Sequence, residues 1–360
     1  MMEGDGSGLL IVIVNYRTPE LVVDCLASLA PEVADWPRVG VVVVDNDSQD
    51  GSALAMERAI IASGWSGWAR VRRSRVNGGF AYGNNLAIRP AIAAPDVTDP
   101  GAEHRTLFWL LNPDTVVRPG AIGAILAFFA DNALAGVVGT AIDDDQGRRW
   151  PFAFRFPSLL GETESALRLS LLTRLLGKHS AIRRMGSRPE RVDWVSGASV
   201  VIRREVFETV GMLDEGYFLY FEETDYCRAV ARSGWECWYV PDAVVLHISG
   251  QSTGVTGQGA AQRRVPAYWF ASRRRYLIKN HGRSYAIVAD AIMLLGLCLW
   301  RLRCLMKRCP HGGSPRFLRD FIIHSALFRG DVVANDRLTN SGSGTGTRAT
   351  KPRRTGLLIM

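Results

Sequence analysis

The stretch Leu9-Leu-Ile-Val-Ile-Val14 is apolar and β-branched, without the polar alternation of a strand that faces solvent. Such a run is typical of a strand covered on both faces in a parallel sheet. Residues 41–44, four consecutive valines, repeat the pattern, and apolar residues at helical spacing follow the two runs at 19–29 and 52–61. This alternation predicts an α/β layer fold with right-handed crossovers.

Further strand candidates lie at 69–73, 107–111 and 137–142. Polar residues end three of the candidate strands: Asn15, Asp45, and Asn112 with Asp114. Ligands of open α/β sheets bind beyond the carboxyl ends of the strands. The sequence therefore predicts that these side chains gather along one edge of the sheet.

The 360 residues are 47% hydrophobic, which is enough to bury a substantial core and excludes disorder throughout. The net charge of +8 is concentrated in one segment, because residues 263–308 hold eleven Lys and Arg against one acid, Asp290. A basic excess beside an apolar run indicates an anionic membrane surface rather than a nucleic-acid groove. We therefore expect no nucleic-acid partner.

The apolar run at 285–300 has 16 residues, interrupted by Asp290. A span needs roughly 20 residues, so we expect this run to lie in the membrane interface rather than cross the bilayer. The six cysteines show neither a CxxC pair nor zinc spacing, and no signal-peptide pattern opens the sequence. These features predict a cytoplasmic catalytic part. The polar residues 340–348 predict a disordered tail over 336–360.

An acidic cluster follows the aromatic run 218–221 at the start of a predicted helix: Glu222, Glu223 and Asp225. Carboxylates that are close together beside aromatic rings resist ionisation, which raises at least one pKa toward that of a general base. The alternative is an acidic first turn that only complements the helix dipole. These residues alone leave both interpretations open.

Two loops offer hydrogen-bonding groups to a ligand. In residues 45–51, Asp45 can accept hydrogen bonds from a nucleotide's base or ribose, while Ser48 or Asp50 caps the next helix. Residues 77–85 supply glycines that allow close backbone approach and several side-chain amides. A plain turn before a helix explains the second loop equally well.

Asp114 ends a strand candidate and is held rigid by Pro113, which suits a divalent cation that bridges two phosphates, although a Pro-Asp turn alone is common. His247 ends another apolar run, before the polar loop 249–254, and suits a metal or phosphate role or a core position. Residues 194–199 contain small side chains where a ligand could press on the backbone, and close strand packing explains them equally well.

Taken in order, six segments resemble the family-two inverting glycosyltransferases of GT-A fold: VIVNYR, VVVDNDSQDGS, NGGFAYGNN, LLNPD, WVSGASVVIRR and GMLDEGYFLYFEETDYCRAVARSGW. Within the family they are most similar to bacterial dTDP-rhamnose-dependent rhamnosyltransferases of the cell-wall linker and O-antigen type. The resemblance runs from about residue 9 to about residue 279. It implies a mostly parallel central sheet with helices on both faces, followed by a C-terminal helical, membrane-associated segment.

We therefore divide the chain into a GT-A catalytic domain at 1–262 and a basic, apolar helical region at 263–335, followed by the tail. The catalytic domain has a donor half at about 9–145 and an acceptor half at about 146–262. The resemblance implies a nucleotide-sugar donor, Mg²⁺ or Mn²⁺ on its diphosphate, and a lipid-linked or polysaccharide glycan acceptor. Whether the chain forms a homo-oligomer stays open.

The resemblance also assigns roles to individual residues. Glu223 matches the residue that deprotonates the acceptor hydroxyl, with Glu222 and Asp225 beside it, and the metal ligands are Asp114 and His247. The implied nucleotide-sugar-binding residues are Asn15, Arg17, Asp45, Asn46, Asn77, Gly79, Asn84, Asn112, Asp114, Trp194 and Gly197.

Two positions depart from the family pattern. The base is usually Asp, so the choice between Glu222 and Glu223 stays open, and the common DxD motif is Asn112-Pro-Asp114 here, with one carboxylate fewer. The predicted function is transfer of a sugar, rhamnose from dTDP-rhamnose, to a hydroxyl of a lipid-linked or cell-envelope glycan at the inner face of the plasma membrane. The alternatives are a catalytically degenerate GT-A scaffold or sugar-binding module, and a nucleotidyltransferase, whose basic Gly-rich loop is missing after residues 9–14.

Overall fold

The computed structural model describes residues 8–93, 105–144, 146–150, 153–167, 174–247, 263–308 and 314–330. The predicted disordered tail at 336–360 and the polar loop at 249–254 lie outside these residues. The strands are β1 Gly8–Asn15, β2 Val39–Asp45, β3 Ala69–Arg73, β4 Arg105–Leu111, β5 Thr115–Val117, β6 Ala135–Asp143, β7 Arg149–Trp150, β8 Ala153–Phe154, β9 Ile182–Arg183, β10 Glu190–Arg191, β11 Ser199–Arg203 and β12 Glu236–His247.

The helices alternate with the first strands and then dominate the C-terminal part. They are α1 Pro19–Asp35, α2 Ser52–Ala62, α3 Gly79–Ala93, α4 Ala121–Asp131, α5 Leu159–Leu167, α6 Arg204–Val210, α7 Glu222–Arg232, α8 Ala267–His281, α9 Arg283–Met306 and α10 Phe317–His324.

The main sheet has the strand order β10-β12-β6-β11-β4-β1-β2-β3, with β5 and β7 added to β12 and β6. The pairs among β1 to β4 are parallel, as is β6 with β12, whereas β11 runs antiparallel between β4 and β6. Asn15 is in register with Asp45, and Ser199 with Leu111. The start of β11 therefore lies at the same edge as the ends of β1, β2 and β4.

Both faces of this sheet are covered, as the apolar runs predict. On β1, the side chains of Leu9, Ile11 and Ile13 belong to the core cluster that contains the buried faces of α1, α2 and α4. Leu10 and Val12 belong to the opposite cluster, with α3, α6 and α7. Full burial of each such side chain stabilises the fold by about 1.5–3 kcal/mol, so the sheet is a rigid support for the loops at its edge.

Helix α1 is longer than the sequence predicts, because it continues from residue 29 through Pro31 to Asp35. Its last turns make tertiary contacts that offset the unfavourable interior proline. Leu29 and Val33 are buried in the core, and the Glu32 carboxylate accepts the backbone N–H groups at the start of α4, from Gly120 at 2.8 Å and Ile122 at 3.1 Å.

The apolar C-terminal segment is also longer than predicted: α9 has 24 residues, instead of 16 at 285–300. The helix is longer than its apolar run because straight-chain residues such as Arg301 and Arg303 continue it past residue 300. The expectation that the run lies in the membrane interface stays a prediction. Within the described ranges, α9 is the one helix long and apolar enough to cross a membrane, judged by length and composition alone.

Candidate active site

The loops after β1 and β2 are joined by a buried network. Asn15 donates from Nδ2 to Asp45 Oδ1 at 2.8 Å, and the Ser48 hydroxyl donates to the same oxygen at 2.6 Å. Ser48 Oγ in turn accepts the backbone N–H of Arg17 at 3.0 Å, and the Arg17 side chain donates from Nε to the Ser48 carbonyl. Asn15 and Asp45 thus lie together at the sheet edge, as predicted, with Arg17 beside them, and Ser48 connects all three, a role that its sequence position does not indicate.

The N-cap position of α2 is Gly51, and the side chain that accepts the first helical N–H is Asp50, one residue earlier, rather than Ser48. The Asp50 carboxylate accepts the backbone N–H of Ser52 at 3.0 Å and its hydroxyl at 2.5 Å. Ser48 does not accept an N–H of the helix, because its hydroxyl donates to Asp45 at the end of β2 instead. Ser48 and Asp50 both have a side-chain oxygen that can accept a backbone N–H at the start of a helix, so the sequence could not decide which of the two does so.

The glycine-containing segment 77–85, after β3, packs against the aromatic run 218–221 that precedes α7. Asn46 donates from Nδ2 to Asn77 Oδ1 at 3.0 Å and to the Gly79 carbonyl at 3.1 Å. Gly79 has a left-handed φ of +85°, and a Cβ there would lie 1.9 Å from the Phe218 carbonyl oxygen. That carbonyl accepts the backbone N–H of Phe80 at 3.0 Å. Only glycine permits this approach.

Two further predicted binding residues bond to neighbouring backbone carbonyls, Asn84 within α3 and Trp194 beside β8. Asn84 is fully buried and donates from Nδ2 to the Phe80 carbonyl at 2.9 Å. The Trp194 ring stacks on Phe154 with centroids 4.1 Å apart, and its indole N–H donates to the Arg155 carbonyl at 3.0 Å. Their direct contact with a donor stays a prediction.

The acidic cluster occupies the first turn of α7, where the sequence predicts a helix start. The two residues before it, Tyr220 and Phe221, both have a φ of +69°. Non-glycine residues in this left-handed region cost on the order of 1–3 kcal/mol each and concentrate at functional sites. The strained turn sets the direction in which the acids enter the helix.

Glu222 and Glu223 form a pair with raised pKa values. Each has an Oε2 atom that is buried without a hydrogen-bond partner among the described residues. Burial raises the pKa of Glu222 well above its usual value, and the charge of Glu223 raises it further. Burial also raises the pKa of Glu223, which the backbone N–H of Gly197 partly offsets. A raised carboxyl pKa is what a general base near neutral pH requires.

The carboxylate of Asp225 contacts helix α8 rather than the Glu222–Glu223 pair. Its carboxylate accepts from Lys279 Nζ at 2.5 Å and from Asn280 Nδ2 at 2.6 Å, both on α8. Lys279 also contacts Asp214 at 2.7 Å. The predicted cluster of three acids is therefore a pair plus a carboxylate that ties α7 to α8, and these contacts are those of a positioning residue. No local sequence signal identifies Lys279 as the partner.

Gly197 connects the acids to the strand end that carries the predicted metal ligand. A Cβ on Gly197 would lie 3.7 Å from both Cβ and Cδ of Glu223, so the Glu223 side chain packs against the Gly197 backbone. The next residue, Ala198, accepts the backbone N–H of Asn112 at 2.9 Å. Glu223 and the Asn112-Pro-Asp114 segment thus border the same short stretch of backbone.

Asp114 and His247 meet at this edge, as the sequence predicts. His247 ends β12 opposite Thr115 of β5, and its Nε2 lies 3.1 Å from Asp114 Oδ1. Asp114 is buried and His247 is partly exposed. Strand pairing alone therefore brings together two residues that are 133 positions apart.

This pair fits a divalent cation that shares its coordination with a ligand. A carboxylate oxygen and an imidazole nitrogen are both metal-binding groups, and Mg²⁺ sites commonly combine one or two carboxylates with substrate phosphates. The described part of the chain has no group of three or more His, Cys, Asp or Glu that could hold a metal, so phosphate oxygens and water would complete the shell. The nearby Cys25 does not add a ligand, because burial raises the pKa of its thiol to about 12.

The carboxyl edge of the sheet thus combines a carboxylate–imidazole pair with a buried carboxylate of raised pKa, an arrangement suited to group transfer from a diphosphate donor. The family profile described as "Glycosyltransferase like family 2" matches residues 7–275. The chain belongs to this family and is a glycosyltransferase.

Curated relatives and solved structures agree with this assignment. The N-acetylglucosaminyl-diphospho-decaprenol L-rhamnosyltransferase of Mycobacterium tuberculosis is 30% identical over 291 residues, covering 78% of this chain and 84% of the relative. The dTDP-rhamnosyl transferase RfbF of Shigella flexneri is 24% identical over 209 residues, covering 57% and 62%. The crystal structure of GalNAc-T7 with UDP, GalNAc and Mn²⁺ superposes with a TM-score of 0.52 at 15% identity, covering 88% of this chain and 54% of GalNAc-T7. The predicted GT-A fold is confirmed.

Proposed function

We propose that this chain is an inverting glycosyltransferase that moves a rhamnosyl group from dTDP-rhamnose to a hydroxyl of a sugar carried on a lipid diphosphate. The names of the mycobacterial and Shigella relatives support the donor, and the mycobacterial name supports the acceptor class. We propose that it acts in the cytoplasm, at the inner face of the plasma membrane. The observation that carries the proposal is the packing of Glu223 against Gly197, next to Ala198, whose carbonyl accepts the backbone N–H of Asn112 beside Asp114.

Glu223 is the proposed general base. Inversion requires the acceptor oxygen to attack the anomeric carbon from the face opposite the leaving diphosphate. Glu223 takes the hydroxyl proton as the new C–O bond forms, and the bond to the diphosphate oxygen breaks with its electron pair on that oxygen. Glu222, whose pKa is raised by burial and by Glu223, keeps its own proton. The Glu222–Glu223 pair therefore carries one negative charge before transfer, rather than two, and none after Glu223 has taken the proton.

The donor is held by the strand-end loops in this proposal. Asp45 accepts hydrogen bonds from the base or ribose, because Asn15 and Ser48 fix its carboxylate at the edge of the sheet. Asn46 and Asn77 hold the glycine loop in place beside it.

Asp114 and His247 would hold a divalent cation, Mg²⁺ or Mn²⁺, beside the donor's diphosphate. When bound, such a cation stabilises the negative charge of the leaving diphosphate. Because Asn112 replaces the first carboxylate of the common DxD motif, we expect weaker cation binding than in a site with two carboxylates.

Glu223→Gln tests the assignment of the base. The amide cannot take the proton, so we expect transfer to fall by at least about 100-fold while the affinity for dTDP-rhamnose stays within about twofold. Transfer is measured by product formation and affinity by calorimetry, with exposed Glu208→Gln on α6 as the matched control. Full transfer by the Glu223 variant excludes it as the base. A wild-type chain that binds the donor but transfers nothing indicates a binding module instead.

Asp114→Ala tests the cation pair. The variant loses the buried carboxylate that faces His247, so we expect the gain in dTDP affinity on adding Mn²⁺ to disappear, while metal-free binding changes little. Calorimetric titrations with and without the metal measure this, with Asp131→Ala at the exposed end of α4 as the control. A metal-dependent gain that survives in Asp114→Ala contradicts the assignment.

A further inference from the structure

Helix α9 has a buried inner face and an apolar outer face. The inner face contains Ala286, Ala289, Asp290, Gly296 and Cys304. The outer face is a stripe of exposed residues spaced alternately by about three and four positions. We call it the α9 stripe, and it consists of Val288, Ala291, Leu295, Cys298, Leu299, Leu302, Leu305 and Met306.

The exposure of the α9 stripe is unusual for a helix that faces water. Leu295 is 58% exposed, and Leu305 and Met306 are each 68% exposed. The stripe extends for about 27 Å along the helix at 1.5 Å per residue. A surface helix of a water-soluble domain carries polar residues on this face, so the stripe requires a covering partner.

The charges around the stripe identify an anionic partner. The acids described from residue 263 onward are Asp290 and Asp320, and both are buried and ion-paired, with Arg273 and Arg264 respectively. The exposed cations of the same region are Arg263, Arg283, Arg301, Lys307, Arg308, Arg316, Arg319 and Arg329, together with Arg264 and Lys279, which pair with Asp320 and Asp225. The described C-terminal surface therefore combines apolar and positive groups without an exposed acid.

We propose that the α9 stripe docks on an anionic bilayer, with α9 lying in the plane of the interface. Helices that lie in the interface bury an apolar face and place basic residues at the headgroups. The inner face of α9 argues against crossing, because Arg273 bridges Asp290 of α9 and Glu162 of α5 behind it. A spanning α9 would carry these buried charges into hydrocarbon.

The packing of α9 on α5 supports the same orientation. A Cβ on Gly296 would lie 2.5 Å from the Cβ of Ala166, so the two helices are in close contact along the inner face. If α9 separated from α5 to cross a bilayer, this contact surface between the two helices would be exposed. Docking through the outer face leaves the contact surface and its ion pairs intact.

Docking of α9 in the plane of the interface also determines where the membrane lies relative to the acidic cluster of α7. Helix α8 is joined to α9 through Gly282, and its Lys279 pairs with Asp225 in the first turn of α7. A lipid-linked acceptor would therefore approach along the layer that carries α8. This consequence rests on the proposed function, whereas the docking surface itself does not.

Cys298 provides a direct probe, since it is exposed within the α9 stripe, whereas Cys25, Cys227, Cys237 and Cys304 are buried. The full-length Cys309→Ser chain is labelled at Cys298 with a polarity-sensitive fluorophore. We expect a blue shift on adding phosphatidylglycerol vesicles and none with phosphatidylcholine vesicles. The matched control carries the label at Ile61→Cys on α2, in a Cys298→Ser, Cys309→Ser background, and we expect it not to respond.

The double variant Leu295→Asp, Leu302→Asp tests the surface by affinity. We expect its binding to anionic vesicles to fall by at least about tenfold, because two apolar anchors are lost. Ile61→Asp, at a residue that is 71% exposed in the donor half, should bind as wild type does. Circular dichroism confirms that each variant is folded.

Three outcomes overturn the proposal. Unchanged vesicle binding in the double variant excludes the stripe, and a dimer in sedimentation equilibrium that the same variant dissociates shows that a second copy covers it. Retention of the full chain in membranes after alkaline carbonate extraction shows that α9 spans the bilayer. Vesicle binding is measured without donor or acceptor, so its failure leaves the proposed transfer reaction untouched.

Discussion

The carboxylates of Glu222 and Glu223 illustrate how stability and catalysis conflict at single residues. Each has a buried oxygen without a partner in the described part of the chain, and such a group costs about 1–3 kcal/mol. The left-handed Tyr220 and Phe221 add backbone strain directly before them. Evolution toward stability alone would remove these features, so their presence is consistent with a catalytic role.

Glu222→Gln is expected to stabilise the protein at neutral pH. Burial first and Glu223 second raise the folded-state pKa of Glu222, so the folded protein holds a proton that the unfolded chain releases above about pH 4.5. Wild-type stability therefore falls as pH rises from the unfolded toward the folded pKa, and the variant lacks this loss. Urea unfolding should show a gain on the order of 1 kcal/mol at pH 8 that shrinks at pH 4. An equal gain at both values contradicts the raised pKa.

Residues at strand ends were predictable because their signal is local. Asn15, Asp45, Asp114 and His247 each follow a β-branched or apolar run, and the parallel register then brings the run ends together. Lys279 was not predictable, because its contact with Asp225 depends on how α8 packs, 54 residues along the chain.

At the scale of elements, the antiparallel β11 organises the site. Its position between β4 and β6 carries Gly197 and Ala198 to the carboxyl edge, where they contact Glu223 and Asn112. Apolar runs predict that strands exist, and they predict which are fully covered, but they do not specify neighbours in a sheet. Strands β1 to β4 and β6 and helices α1 and α2 were therefore predicted near their observed positions, whereas α4, β5 and the proximity of Glu223 to Asn112 and Asp114 depend on tertiary packing.

The contact between α7 and α8 yields a prediction about Asp225. Because the buried Asp225 accepts from Lys279 and Asn280, we expect Asp225→Asn to destabilise the fold by about 1–3 kcal/mol. Lys279→Met should cost less, since Lys279 is partly exposed, and the double variant should cost less than the sum. Denaturant unfolding of the four proteins measures the coupling.

Activity assays separate positioning from direct catalysis in the same variants. A positioning residue predicts a reduced transfer rate with an unchanged pH profile in Asp225→Asn. A loss as large as that of Glu223→Gln, together with additive stability effects, would instead assign Asp225 to the reacting group.

At the scale of the whole molecule, the C-terminal helices are part of the folded unit. Tyr217, directly before the aromatic run, is buried in a cluster with Tyr276 and Leu277 of α8. Asp214 pairs with Arg275 and Lys279 of the same helix. The proposed domain boundary after residue 262 lies before α8, although α8 covers the segment that leads into the acids. The catalytic unit can therefore end at either of two places, before α8 at residue 262 or after α8 at residue 282.

Truncations at these two boundaries should behave differently. A chain ending at residue 282 keeps α8 with its contacts to Asp225 and Tyr217, so we expect it to bind dTDP-rhamnose while it loses vesicle binding with α9. A chain ending at residue 262 exposes Tyr217 and leaves Asp214 and Asp225 without their described cations, and we expect its Tm to fall by more than about 10 °C. Thermal unfolding and calorimetric donor titration measure both variants against the full chain. Equal Tm values for the two truncations would mean that α8 contributes little to the stability of the acid site. The catalytic unit would then end before residue 263, and the helices beyond it would serve membrane binding alone.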